Sequence, residues 1–168
     1  VLFRRQRQMC IRDSSKVVQI FPESTLEVIG SSKKGGHTTR KIKDLSIKDK
    51  VHFNKDLSFK EVRDLYCSSD IVVIPSLYEG FGFAIGEAMA CRAPVITTSG
   101  GAIPEVIGNC GITVAPGNSK ELEKAMLELL PDENLKNSLA EKGFNRIIEH
   151  LQWKEAAKLM TCLLYTSP

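Results

Sequence analysis

Between positions 75 and 90 the chain reads Pro-Ser-Leu-Tyr-Glu-Gly-Phe-Gly-Phe-Ala-Ile-Gly-Glu-Ala-Met-Ala, placing carboxylates at Glu79 and Glu87 and glycines at Gly80 and Gly82. The glycines let the backbone come close to a ligand, and a helix opening just beyond them turns its N–H groups and positive dipole end toward the loop. Such an end attracts an anion. A carboxylate beside it repels phosphate but accepts hydrogen bonds from hydroxyls, and both Glu79 on the loop and Glu87 about one turn into the helix can do so. A phosphate flanked by two polyol-binding carboxylates describes a nucleotide sugar. Tyr78 and Phe81 can stack on a base or sugar, or simply pack around the glycines.

Competing glycine motifs fail on spacing. A dinucleotide fingerprint starting at Gly80-x-Gly82 needs Gly or Ala at position 85, which is Ile85. Gly30-Ser-Ser-Lys-Lys-Gly35 opens like a phosphate-binding P-loop but continues with Gly36 and His37, where Lys and Ser or Thr are required. A glycoside hydrolase needs its two carboxyl groups about 5 to 9.5 Å apart. Eight residues of helix between Glu79 and Glu87 would rise about 12 Å, which disfavours that chemistry.

The elements that must position this loop alternate in type. Strands are expected at 26–30, 51–53, 71–74, 95–98 and 112–114. Helices are expected at 40–47, 59–67, 84–91, 103–107, 119–130, 134–150 and 153–160. Ser58 with Glu61 makes a capping box for the second of these, and Pro104 opens the fourth. The run Ile71-Val-Val-Ile74 is β-branched throughout, as in a strand buried on both faces of a parallel sheet. Strands alternating with helices imply an α/β, doubly wound, Rossmann-like parallel sheet with right-handed crossovers. Ligands of such sheets sit beyond the strands' carboxyl ends, where the loop after Ile74 lies.

The chain has 168 residues, 42% hydrophobic and 26% charged, which excludes a disordered tail, a collagen and a coiled coil. Its longest apolar runs fall far short of the roughly 18 residues that span a bilayer, and Arg4, Arg5 and Arg7 follow the first three residues where a signal peptide would be apolar. A cytoplasmic location is expected. Residues 3–14 show no helical or strand periodicity; they and residues 162–168 resemble translated adapter sequence, and 1–14 and 162–168 are read as non-native flanks of a domain at 15–161. Without residues 1–14, which hold four arginines and one aspartate, the formal charge of +3 becomes 19 bases against 19 acids, and no nucleic-acid partner is expected. Of the remaining cysteines, Cys67, Cys91 and Cys110 fit no zinc or C-x-x-C spacing and read as reduced, buried thiols. His37, His52 and His150 read as solvated or helix-end residues, Lys33 and Lys34 as loop solubilisers, and Glu105 as a first-turn helix charge.

Glu79 and Glu87, seven residues between them, are framed by Asp70-Ile-Val-Val-Ile-Pro-Ser before and Ala88-Met-Ala-Cys-Arg-Ala-Pro-Val-Ile after. Gly100-Gly101-Ala-Ile-Pro-Glu105-Val-Ile-Gly, Gly111-Ile-Thr-Val-Ala-Pro-Gly117 and Trp153 continue the series. It resembles the C-terminal donor-binding domain of retaining GT-B glycosyltransferases, the glycosyl transferases group 1, family four. The resemblance implies that Glu79, as the catalytic residue, holds donor-sugar hydroxyls. Gly80, Phe81, Gly82 and Phe83 would contact sugar and phosphate through their backbone, Glu87 would hold the ribose, and Gly100 and Gly101 would lie near the diphosphate. It implies transfer with retention from a UDP-, GDP- or ADP-sugar, no metal and no cofactor, and peripheral membrane association of the full-length enzyme.

Three positions depart from the family pattern: Ala84, Gly86 inside a helix, and Arg92 where a left-handed backbone is usual. The family's diphosphate-binding Arg and Lys belong to a first strand upstream of Leu26, where this chain has the segment read as non-native. The chain is therefore expected to be an incomplete half-enzyme lacking the acceptor-binding domain. The alternative is a non-catalytic nucleotide-sugar binding module.

Overall fold

The computed structural model describes residues 4–30 and 36–150. Helix α1 spans Arg4–Ile20, and strands and helices then alternate: β1 Leu26–Ile29, α2 His37–Asp44, β2 Val51–Asn54 and α3 Phe59–Ser68. They continue through β3 Val72–Ile74, α4 Phe83–Ala90, β4 Val95–Thr98, α5 Ile103–Ile107 and β5 Ile112–Val114, then close with α6 Ser119–Leu129 and α7 Glu133–His150. The expected strands and helices are found within a few residues at each end. The helix expected at 153–160, the 162–168 flank, Lys33 and Lys34 lie outside the described residues.

The α/β class holds, but the strands pair as two parallel sheets rather than one: β1 with β2, and β3-β4-β5. β4 is the central strand of the larger sheet, and Val95, Ile96, Thr97 and Thr98 are all fully buried, as a run covered on both faces requires. One face carries Ile85, Met89, Ile103 and Ile107 from α4 and α5. The other carries Leu122, Met126 and Leu129 from α6. A smaller cluster joins Val28, Ile42 and Val51 beneath α1 and α2.

Helix α1 corrects the reading of residues 3 to 14 as aperiodic. Ile11 is 1% exposed and packs with Val28, Ile42 and Ile47, while Ser14, Ser15 and Val17 are also buried. The helical spacing 11, 14, 15, 18 straddles position 14 and uses two serines as small buried residues, so neither side of a cut at 14 shows it. Lys16 pairs with Glu123 of α6 at 2.8 Å. No helix among the described residues is long and apolar enough to cross a membrane.

Local chemistry sets the helix ends that matter for the loop. Ser58 accepts from the Glu61 backbone N–H and Glu61 returns a bond to the Ser58 N–H, the expected capping box. α4 ends in a Schellman motif: Arg92 N–H donates to Met89 O and Ala93 N–H to Ala88 O, with Arg92 left-handed at φ 55°. The strain of Arg92 is offset by its side chain, whose Nε donates to Glu141 at 2.9 Å and whose guanidinium lies 3.6 Å over the Phe144 ring. A Cβ on Gly86 would meet Ile147 Cδ1 at 3.8 Å, an ordinary contact, so the fold does not require glycine there. Lys136, at the start of α7, reaches Glu133 at 2.7 Å and Asp70, just ahead of β3, at 3.5 Å.

The cysteines differ from the expected buried, separate thiols: Cys110 is buried, but Cys67 is exposed and Cys91 half-buried. Cys67 and Cys91, far apart in sequence, come near one another where α3 meets the end of α4. Burial, then the Cys67 contact, pushes the Cys91 thiol up to about 11. Burial and the nearby Glu87 carboxylate push the Tyr66 hydroxyl up to about 12. Both groups keep their protons longer when folded, so their contribution is full below pH 9 and is lost as pH rises through their folded values. Denaturant midpoints should fall from pH 9 to 12, and Tyr66→Phe should flatten the fall above pH 10; an unchanged slope in that variant contradicts the assignment.

Candidate functional site

The loop between β3 and α4 is held from its far side by the loop that follows β4. Thr97 Oγ1 donates to Ile74 O at 2.8 Å, and Thr98 Oγ1 donates to Ser76 O, both hydroxyls being fully buried. Ala102 N–H then donates to Glu79 O at 2.9 Å, and Glu79 forms a parallel bridge with Gly101. A Cβ on Gly101 would lie 3.0 Å from Glu79 N, and one on Gly100 would lie 2.9 Å from Leu77 C. Gly101 is also left-handed at φ 68°. Only glycine lets two loops lie backbone to backbone at this distance.

Glu79 is half-buried, and its Oε1 accepts from Ser76 Oγ at 2.5 Å. Ser76 is 3% exposed, so its carbonyl is fixed by Thr98 while its hydroxyl fixes the carboxylate. Neither Ser76 nor Thr98 was assigned a role from sequence. The signal that could have found Ser76 is its Ser-x-x-Glu spacing, the same spacing that identified the capping box at Ser58.

α4 begins at Phe83, one residue earlier than expected, with Gly82 as its N-cap in the left-handed region at φ 76°. Gly82 has no side chain to bond the first turn, so the helix N-terminus is left facing the loop. Gly82 is tightly placed, a Cβ there meeting Val106 Cγ2 at 3.4 Å, whereas nothing lies within 4 Å of a Cβ on Gly80. Gly80 thus borders open space, while Gly82, Gly100 and Gly101 are needed by the fold itself.

The remaining predicted residues divide between this loop and its flanks. Glu87 is exposed one turn into α4, where its charge reaches Tyr66 and Cys91. Phe81 stacks on Phe83 at 4.3 Å between centroids, both about 60% exposed, so one face of Phe81 is already covered. Tyr78 stands exposed. Glu105 lies in the first turn of α5, as expected of a helix charge, and its carbonyl accepts from Arg146 Nη2 at 2.6 Å. His52 is exposed on β2.

Comparison with known proteins bears on this arrangement. The family model for glycosyl transferases group 1 matches residues 5–132. The chain is 34% identical over 135 residues to an MMP alpha-(1->4)-mannosyltransferase of Mycolicibacterium hassiacum, covering 79% of this chain and 33% of that protein. It is 41% identical over 91 residues to an O-antigen chain mannosyltransferase of Salmonella typhimurium, covering 53% of this chain and 26% of that protein. Among solved structures, the C-terminal domain of a glycosyl transferase group 1 family protein from Francisella tularensis aligns with TM-score 0.80 and 27% identity, covering 90% of this chain and 83% of that one. HepE of Anabaena, solved with UDP and glucose, aligns with TM-score 0.83 and 20% identity, covering 99% of this chain and 47% of that one. The chain spans about a third of the length of the curated relatives it matches.

Two alanine substitutions separate the glycines by role. Gly101→Ala should destabilise the chain by ~2 kcal/mol, since it adds both a clash and an unfavourable backbone. Gly80→Ala should change stability by at most ~0.5 kcal/mol. Denaturation of both variants checks this, and equal losses would contradict the packing described.

Proposed function

The chain belongs to the glycosyl transferases group 1 family, and from that premise we propose that residues 15–161 form a GT-B lobe that binds the nucleotide diphosphate sugar donor for retaining transfer of a hexosyl group. The observation that carries this reading is Glu79, pinned by Ser76 in a loop lying against Gly101 and leading directly into the Gly82-capped start of α4. A hydroxyl-binding carboxylate and a helix N-terminus are thereby joined by three residues, Gly80 to Gly82.

Each residue has a distinct task on this reading. With Oε1 occupied by Ser76, Glu79 offers its other oxygen to donor-sugar hydroxyls, positioning the sugar rather than attacking it. The backbone of Gly80 to Phe83 approaches sugar and phosphate, and the open space at Gly80 supports that approach. When the bond from sugar to diphosphate breaks, the leaving group gains charge, which N–H groups at the start of α4 are oriented to stabilise. Glu87, one turn further on, accepts from the ribose hydroxyls. Gly100 and Gly101 bring their own loop beside the diphosphate. The nucleotide of HepE and the mannosyl transfer named for the curated relatives are consistent with such a donor.

On this reading the whole enzyme works in the cytoplasm, associates peripherally with the membrane, and takes its acceptor from a domain outside this stretch. The chain alone is a half-enzyme and should not turn over any donor; turnover would overturn that reading.

Calorimetric titration of the 168-residue chain with UDP-, GDP- and ADP-sugars tests the donor site. One of them should bind, and Glu87→Ala should weaken it roughly tenfold or more, the loss of a hydrogen bond to a charged group. Binding of none, or unchanged affinity in the variant, would refute the proposal.

A further inference from the structure

Helix α5 has five residues, too few to hold a helical turn in place by themselves. It nevertheless meets both ends of the segment that carries the candidate chemistry. At its N-cap, Ala102 N–H donates to Glu79 O at 2.9 Å, and one turn on, Val106 Cγ2 would lie 3.4 Å from a Cβ on Gly82. Whatever fixes α5 therefore fixes the course of the chain from Glu79 to Gly82.

Ile103 and Ile107 are fully buried and hold one face of α5 to the core, but apolar contact is non-directional and leaves a short helix room to turn or slide. The directional restraint comes from α7. Arg146 Nε donates to Val106 O at 2.8 Å, and Arg146 Nη2 donates to Glu105 O at 2.6 Å. Its guanidinium lies against Gly108, where a Cβ would come within 2.9 Å of Cζ and 3.1 Å of both Nε and Nη1. Pro104 O accepts from Gly108 N–H and Ile107 O from Cys110 N–H, so with Arg146 every carbonyl of the last turn of α5 has a partner. α7 is itself fastened along α4, through the Arg92 contacts with Glu141 and Phe144 and through Gly143, where a Cβ would meet Met89 Cγ at 3.2 Å.

We infer, on the donor reading of this loop, that Arg146 is a positioning residue for donor binding: by gripping the Glu105 and Val106 carbonyls it sets how α5 presents Ala102 to Glu79 and Val106 to Gly82. The planar fork of a guanidinium meets two successive carbonyls in a fixed geometry that a flexible lysine ammonium does not reproduce. Arg146 thus acts through α5, from a helix that follows the loop by more than fifty residues of chain on the order of positions 79 to 146.

Calorimetric titration and amide hydrogen exchange on the 168-residue chain separate this role from a purely structural one. Arg146→Met keeps the stem that packs beside Gly108 and loses the donors, whereas Arg146→Lys keeps the charge and loses the fork. UDP-glucose, GDP-mannose and ADP-glucose are the probes. Under conditions where both variants are fully folded, the probe that binds the unaltered chain should bind each variant roughly fivefold or more weakly. The Ala102 amide should exchange roughly tenfold faster in both, relative to the amides of β4. A lower denaturation midpoint with unchanged affinity and unchanged relative exchange at Ala102 would make Arg146 a structural residue only, and would overturn the inference. So would full affinity in Arg146→Lys, because charge alone would then suffice. Binding of no probe to the unaltered chain would instead refute the donor reading, and the role of Arg146 with it.

Discussion

The loop that carries Glu79 depends on a contact with no side chain in it: the backbone of residues 77–79 lies directly on Gly100 and Gly101. Loops at the carboxyl ends of a parallel sheet are ordinarily among its more mobile parts. Here the loop is bound to β4 by two buried threonine hydroxyls and to the next loop by Ala102 N–H, so its course is set by the most deeply buried strand among the described residues. Rigidity at Glu79 is thus borrowed from the core. The ordering cost of a binding loop is met during folding rather than when a ligand arrives.

The same contact divides the glycines into structural and functional kinds. Gly82 sets the left-handed turn that opens α4, and Gly100 and Gly101 keep two backbones close. Gly80 borders open space, consistent with room kept for something that is not protein. At the other end of α4, Arg92 occupies a left-handed position that glycine usually fills, and its contacts with Glu141 and Phe144 bind α4 to α7. The departure from the family pattern at Arg92 therefore replaces backbone ease with a helix-to-helix tie. Gly86, another of the three departures, would place a Cβ only against Ile147, at ordinary contact distance.

Local signals were legible in the sequence because local physics produces them. The Ser58 capping box, the β-branched run of β3 and Pro104 at the start of α5 each follow from a few neighbouring residues, whereas the left-handed Arg92 was implied by the family resemblance. What escaped the sequence depended on distant partners. Ser76 matters because Thr98 and Glu79 flank it, and the Cys67–Cys91 contact arises only when α3 packs against α4. Helix α1 is not legible in the sequence because its buried face begins at Ile11, within an adapter-like segment, and uses serines as core residues. The division into two sheets was invisible for a different reason: alternating strands and helices specify a parallel arrangement without saying which edges meet.

The central claim is that Thr98, Ser76 and Glu79 act as one unit that presents a carboxylate. A double-mutant cycle measured by denaturation, using Thr98→Val, Ser76→Ala and the pair, tests it most directly. Linked hydrogen bonds through Ser76 predict a coupling energy of ~1 kcal/mol, and losses that add to within ~0.3 kcal/mol would show that the carboxylate is not held through the buried strand.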